Sequence, residues 1–330
     1  MREILAGDWP AERVRRFLVG YNTREATSDE LAGFLDAVRG AATHVGLPTD
    51  VAARAIDIVG TGGDKSGSVN ISTMAAFVVA GAGVPVCKHG NRSASSKCGT
   101  ADVLEALGAR IEQTPEQVAR SVVEVGFGFV FAPAFHPAFR HVGPVRRELG
   151  VPTVFNLLGP MANPAPVAHM LVGVADPSRM RTMARVLAQR TTSSLVVHGF
   201  GGLDELSLAG PNSAIATGSG SSDDSSSRSG ADDAAEITID AVELGLPVAS
   251  NDHLRGGDPS ENARIVTDVL TGQLRGPIRD VVALNAGAAL YVARAARSLG
   301  DGVKMADAVI ASGKARLVLD AFVAASNLTS

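Results

Sequence analysis

Two short segments, Gly60-Thr61-Gly62-Gly63-Asp64 and Lys88-His89-Gly90-Asn91-Arg92, carry the residue types best suited to holding a phosphorylated ligand. In the first, three glycines let backbone N–H groups approach a ligand closely. Lys65 stands where a dinucleotide fingerprint has its third glycine, and no Gly-Lys-Ser/Thr follows, so it is neither that fingerprint nor a P-loop. Alone, it could equally be a plain tight turn. A second set of donors, Ser68 with Asn70-Ile71-Ser72-Thr73, lies a few residues on, where a helix start would present N–H groups and hydroxyls. For Ser72 or Thr73 taken singly, ordinary capping explains as much.

Lys88–Arg92 closes an apolar run with two cations, an imidazole and an amide, the place where open α/β sheets bind ligands. Taken alone, His89 could as well be a structural histidine. Ser95, Ser96, Cys98, Gly99 and Thr100 follow, and Cys98 reads as a small buried residue because no base neighbours it. Adjacent acids Asp204 and Glu205 after another apolar run could hold Mg²⁺ against a diphosphate, or could be solvated loop acids. Arg146 and Arg147 could grip a small carboxylate bidentately, but neighbours on a helix diverge, so only one can face a site. No Cys/His cluster has zinc spacing.

The elements that must position these groups alternate. Residues 1–50 read as helical, with Thr27-Ser28-Asp29-Glu30 as a helix start. From Ile56 onward, β-branched runs (Ile56–Val59, Val84–Cys87, Phe129–Phe131, Leu171–Val174, Leu195–His198) are separated by helical patterns such as Pro115–Val125 and Ser178–Gln189. That alternation predicts right-handed crossovers and a mainly parallel sheet. The basic stretch Ala138–Asn156 breaks the rhythm, with no β-run until one expected from Thr153, and is expected to pack back on the N-terminal helices. Val281–Leu319 reads as two helices around Gly300–Gly302. The polar tract Gly218–Asp233 reads as a mobile surface loop.

Composition narrows the class. The chain has 330 residues, 45% of them hydrophobic, with 36 glycines and 4% aromatics, which suits helices packed tightly on a parallel sheet. A net charge of −4 offers no nucleic-acid footprint. The uncharged run from Val69 to Cys87 holds Asn70, Ser72, Thr73 and Pro85, and its apolar part is too short for a membrane span. A buried helix, a turn and a buried strand are expected there. Two cysteines and no visible signal peptide suggest a reducing, cytoplasmic setting.

In combination, Gly60–Asp64, Asn70–Thr73, Lys88–Arg92, Ser95–Glu105, Val145–Asn163, His198–Glu205 and Leu284-Asn285-Ala286-Gly287 resemble the anthranilate phosphoribosyltransferase family, over about Ser28 to Leu319. The resemblance implies an α/β fold with a small helical domain (1–52, with 138–155 packing back) and a large domain (53–137 and 156–330). The large domain carries a mainly parallel sheet flanked by helices, with the site in the hinge. It implies transfer of phosphoribosyl from phosphoribosyl diphosphate to the amine of anthranilate, in tryptophan synthesis.

Residue by residue, it implies that Gly60, Gly63, Asp64, Ser68, Asn70, Ile71, Ser72 and Thr73 hold the phosphoribosyl diphosphate. Lys88, Asn91, Arg92, Ser96 and Thr100 complete that site. Ser72, Asp204 and Glu205 would bind two Mg²⁺ ions. Gly60, Asn91, Arg146 and Gly159 would contact anthranilate. Lys88 would stabilise the leaving diphosphate and Arg146, preferred over Arg147, would orient the acceptor. Departures are Cys98 and Thr100 for serine, Lys65 for glycine and Gly202 for aspartate. A homodimer through the helical domain is implied. Relatives carry a further helical hairpin before the segment matching Arg15–Thr27, so a smaller or rearranged contact is expected. The alternatives are a pyrimidine nucleoside phosphorylase, supported by Lys88, Arg92 and Gly99–Glu105, and a non-catalytic nucleic-acid-binding relative.

Overall fold

The computed structural model describes residues 1–93, 97–218 and 234–328. Four helices come first: α1 (Arg2–Ala6), α2 (Ala11–Tyr21), α3 (Ser28–Gly40) and α4 (Thr49–Ala52). The predicted start of α3 is real. Thr27 accepts from the Glu30 N–H at 3.2 Å, and Glu30 reaches back to the Thr27 N–H at 3.0 Å. That reciprocal cap satisfies two donors the helix cannot.

Strand β1 (Ile56–Gly60) then leads into α5 (Ile71–Gly81), β2 (Val86–Gly90), α6 (Thr100–Ala106), α7 (Pro115–Val125) and β3 (Phe127–Phe131). The expected excursion follows as α8 (Ala132–Phe135), a 3-10 turn (Pro137–His141), α9 (Gly143–Leu149) and α10 (Val154–Met161). It packs on α1, α2 and α3. The chain returns through β4 (His169–Gly173), α11 (Met180–Ala188), β5 (Ser193–His198), β6 (Asn212–Thr217) and β7 (Ala235–Ile239), and ends in α12 (Pro259–Leu270), α13 (Pro277–Val292), α14 (Leu299–Ala311) and α15 (Lys314–Ser326).

The seven strands form one sheet in the order β3-β2-β1-β4-β5-β6-β7, parallel from β3 to β5 and antiparallel beyond. Side chains alternate across it. Ile56, Ile58, Val86, Phe127 and Phe129 join a core with α5, α6 and α12–α15. Val59, Cys87, Val130, Met170 and Val172 join a second core with α1–α3, α7 and α9–α11. The first is pinned by Phe77 stacked on Phe127 at 4.3 Å, with Phe322 edge-on to Phe127 at 4.8 Å. Truncating any of these rings would cost about 3–5 kcal/mol. Among the described residues no helix is long and apolar enough to cross a membrane, and Val69–Cys87 is the expected helix, turn and strand.

Three expectations need correction. The C-terminal part holds three helices, and Gly300 and Gly302 lie inside α14 rather than between helices. A Cβ on Gly302 would come within 2.2 Å of the Gly287 carbonyl oxygen, so this glycine serves the close approach of α13 and α14. The break comes instead at Ser298, which caps α14 by accepting from the Asp301 N–H at 3.0 Å. Strands β6 and β7 were not anticipated, because β6 is rich in alanine and β7 is a half-exposed edge. The β-run expected from Thr153 is α10, whose start Asn156 closes by accepting from the Thr153 N–H at 2.9 Å. The tract after Gly218 lies outside the described residues.

Candidate active site

Strand β1 ends at Gly60 beside Gly173, the end of β4. From β1 the chain proceeds to β2 and β3 on one side, then returns to β4 and β5 on the other. This is the topological switch point, where open sheets leave a crevice beyond the carboxyl ends of their strands. The segment Leu203–Leu206 crosses that crevice directly over the backbone. A Cβ on Gly60 would lie 2.2 Å from Asp204 Oδ2, and one on Gly199 would lie 2.0 Å from the Glu205 carbonyl oxygen. Buried Asn285 of α13 clamps the segment, accepting from the Leu206 N–H and donating to its carbonyl, both at 3.0 Å. The Gly62 N–H donates to Asp204 Oδ2 at 2.6 Å. Gly62, Gly63 and Lys65 take left-handed φ values of 66°, 81° and 58° to make that turn.

The result is a cluster of three acids. Carboxylate oxygens of Asp64, Asp204 and Glu205 all lie within 4.8 Å of one another. Burial, and then the neighbouring carboxylates, pushes Asp204 up to about 7 and Glu205 well above the usual range. Asp64 Oδ2 is buried with no partner. Only part of the charge is met: at the start of α5 the Ser72 N–H donates to Glu205 Oε1 at 3.3 Å. Closely spaced, under-compensated oxygen donors are a donor set that suits a hard divalent cation.

Lys88 lies on the α5 side of the sheet, 1% exposed. Its Nζ donates to the Ile58 carbonyl and to Ser72 Oγ, the latter at 3.3 Å. Burial pushes the ammonium down to about 8, while Asp57, Glu205 and Asp204 oppose the shift. Its alternate neighbours face the opposite side. There Asp57, fully buried, accepts from the His89 N–H at 3.1 Å and from Asn163 Nδ2 at 2.9 Å. Burial lifts this carboxyl to about 7.

On the same side a row of flat groups begins. The His89 and His136 rings lie 5.1 Å apart, His136 stacks on Phe139 at 5.1 Å, and Phe139 meets Phe155 edge-on at 5.5 Å. The row ends at Arg146, whose guanidinium lies 5.3 Å over Phe155 and donates to Asn156 Oδ1 at 3.3 Å. Burial lowers the Arg146 pKa, whereas Arg147 is exposed. His89 and His136 each keep an Nε2 with no partner, and burial lowers them to about 3 and about 4, so both rings are neutral at pH 7. A Cβ on Gly159 would meet nothing within 4 Å.

The structure thus gathers Gly60, Gly63, Asp64, Ile71, Ser72, Lys88, Asp204 and Glu205 at one crevice. Asn70 joins them through Cys98, donating to its carbonyl at 3.3 Å, and Thr73 through Thr100, hydroxyl to hydroxyl at 3.4 Å. Ser68 lies on a bridge to Arg255. Asn91 follows β2, its side-chain oxygen accepting the Arg92 N–H at 2.7 Å. The Arg92 guanidinium is turned to Glu105 and Asp102, at 2.5 and 3.0 Å. Ser96 lies outside the described residues. Cys98 is buried, and burial pushes its thiol up to about 11, which fits a packing residue. Asp57, His136 and Asn163 were not anticipated. An acid inside the apolar run Ile56–Val59 was the one visible signal.

A family model described as "Glycosyl transferase family, a/b domain" matches residues 52–316. The chain is 49% identical over 316 residues to anthranilate phosphoribosyltransferase of Thermomicrobium roseum, covering 96% of this chain and 87% of that protein. Its structure is similar to the crystal structure of that enzyme from Thermus thermophilus, with TM-score 0.91, 43% identity and coverage of 99% and 93% of the two chains. It is also similar to the enzyme of Saccharomyces cerevisiae in complex with PRPP and Mg, with TM-score 0.85, 28% identity and coverage of 96% and 85%. The strand-end crevice is therefore that of a known fold, and the chain belongs to the anthranilate phosphoribosyltransferase family.

Proposed function

We propose that this chain transfers the phosphoribosyl group of phosphoribosyl diphosphate (PRPP) to the amine of anthranilate and releases diphosphate, a step of tryptophan synthesis. The observation that carries this is the pairing of one acid cluster with one aromatic row across two faces of the same strand ends. The acids, Lys88 and the start of α5 suit a metal–diphosphate. The row, closed by a half-buried arginine, suits a flat ring with a carboxylate. Coverage of nearly the whole chain by such transferases disfavours a nucleoside phosphorylase or a nucleic-acid-binding relative.

In the reaction the anthranilate nitrogen forms a bond to ribose C1 as the bond from C1 to the diphosphate oxygen breaks. The aryl amine is already neutral near pH 7, so its proton leaves after attack without a strong base. The main demand is negative charge developing on diphosphate. Lys88 and the start of α5 at Ile71, Ser72 and Thr73 meet that charge with a fixed cation and the positive end of the helix dipole. We assign Gly60, Gly63, Asp64, Ser68, Asn70, Asn91, Arg92 and Thr100 to the same ligand, and with them Ser96, which lies outside the described residues. Arg146 holds the acceptor carboxylate, with Gly60, Asn91 and Gly159 beside it, and so orients the amine.

Mg²⁺, as two ions, would be held by Asp204, Glu205 and Ser72 with Asp64 beside them, and would supply charge neutralisation of the diphosphate. We also assign a helical unit, 1–52 with 138–155, and a homodimer through it. Support for the dimer comes from the aromatic cluster Trp9, Phe17, Tyr21 and Phe34 on this unit, of which Trp9, Phe17 and Phe34 are only partly buried. Loss of anthranilate fluorescence on adding PRPP, dependent on Mg²⁺, tests the activity, and light scattering tests the dimer.

A further inference from the structure

The segment that carries the aromatic row leaves the sheet after β3 and rejoins it through Ala162–Val167. At that return Asn163, 2% exposed, makes a polar tie inside an apolar core. Its Nδ2 donates to Asp57 Oδ2 at 2.9 Å and to the Cys87 carbonyl at 2.8 Å, and its Oδ1 accepts from the Ala165 N–H at 2.9 Å. Asp57 spends its other oxygen on the His89 N–H at 3.1 Å. One buried carboxylate and one buried amide thus join β1, the reactive end of β2 and the returning connector. The next residue extends the tie, since the Pro164 carbonyl accepts from the Val45 N–H at 3.5 Å in the linker from α3.

This arrangement is costly unless geometry is its purpose. A buried acid and amide tolerate only one partner set, and an apolar pair of the same volume would pack there at no polar cost. The tie is also placed where geometry decides rate. Lys88 and the acid cluster lie on one face of the sheet, whereas His89, His136 and Arg146 lie on the other or on the excursion. Bond formation needs the acceptor nitrogen in line with ribose C1, and an error of about 1 Å in such alignment costs rate far more than binding.

We propose that Asp57 and Asn163 are positioning residues that hold the acceptor-bearing excursion in register with the Lys88–Asn91 end of β2, without touching either substrate. The proposal rests on the transferase activity assigned above. Each half-site keeps its own residues when the tie is cut, so binding of each substrate alone survives and turnover suffers.

The test is steady-state kinetics on Asn163→Ala and Asn163→Asp, with Mg²⁺–PRPP affinity measured separately by calorimetry and folded fraction by circular dichroism. Asn163→Asp turns the donor into an acceptor against Asp57 and the Cys87 carbonyl. Expected is a fall in kcat of tenfold or more for Asn163→Ala and a larger fall for Asn163→Asp, with the PRPP Kd and the anthranilate KM within threefold of the wild-type values. Asn163→Ser, which keeps one donor, should recover part of the loss. The proposal is overturned if kcat of the folded protein stays within twofold, if the loss lies in PRPP affinity or anthranilate KM, or if none of the three variants folds. A wild-type enzyme with no transfer activity would overturn the functional assignment instead.

Discussion

Gly173 lies against the backbone of Asp204 so closely that a Cβ on the glycine would come 1.5 Å from the Asp204 carbonyl oxygen. The atom in the way is main chain, which cannot swing aside as a flexible side chain can. The acid-bearing segment therefore rests on bare strand ends, and the position of Asp204 depends on the absence of one methyl group.

Gly173→Ala should lift that segment away from Gly60 and Asn285. We expect a loss of about 3 kcal/mol in stability, typical of severe overpacking, and a fall in turnover of at least a hundredfold in the folded fraction. Urea denaturation and an activity assay check both. Normal stability with normal turnover would show that the segment has another seat.

Glu205→Gln separates stability from function. Desolvation and mutual repulsion hold Asp204, at about 7, and Glu205 above their usual range, so the cluster loses stability as pH rises above the ordinary carboxylate range and its charges are forced on. Removing one charge should raise stability in metal-free buffer by about 1–2 kcal/mol, on the scale of one pKa unit. Mg²⁺-dependent activity should fall by orders of magnitude. A destabilised variant that keeps its activity would remove the case for a cation site.

Arg146→Ala should raise the anthranilate KM far more than the PRPP KM, by about 2 kcal/mol of lost charge-assisted hydrogen bonding. Exposed Arg147→Ala should change neither by more than twofold. The reverse pattern in steady-state kinetics would mean that the half-buried guanidinium over Phe155 is structural.

His136 sets a pH dependence whose sign is fixed. Its pKa is about 4 in the folded chain against an ordinary 6.5, so between these values the unfolded chain binds the proton and the folded chain does not. Stability through this group is lost as pH falls below 6.5, at about 1.4 kcal/mol per pH unit, and levels off near pH 4. The raised carboxyls of Asp57 and Asp204, at about 7, act in the opposite sense over an overlapping range, so the wild-type curve alone hides the effect. Comparison with His136→Gln isolates it. The variant should gain on the wild type steadily from pH 6.5 to 4.5, and a constant difference would mean that His136 titrates normally.

Local signals were the legible part of the sequence. The glycine turn Gly60–Asp64, the Thr27–Glu30 cap and the helix Pro115–Val125 depend on neighbours within a few residues, and each is where the pattern put it. The five parallel strands were legible for the same reason, since buried on both faces they read as short apolar runs. What stayed hidden depends on distant partners. Asp57 in a strand has no evident purpose until Asn163, 106 residues on, is packed against it. Gly302 looks like a helix breaker until Gly287 is seen beneath it. Arg146 and Arg147 are equivalent until burial chooses one. Asp64 joins the acids only because Gly60 and Gly173 let Asp204 approach.

The central claim is that one crevice holds a metal–diphosphate against an aromatic acceptor. The most direct measurement follows anthranilate fluorescence and diphosphate release together, with PRPP, at varied Mg²⁺. The account predicts one diphosphate for each anthranilate consumed, and no reaction once Mg²⁺ is chelated. Unchanged fluorescence with Mg²⁺ and both substrates present, or equal consumption after chelation, would contradict it.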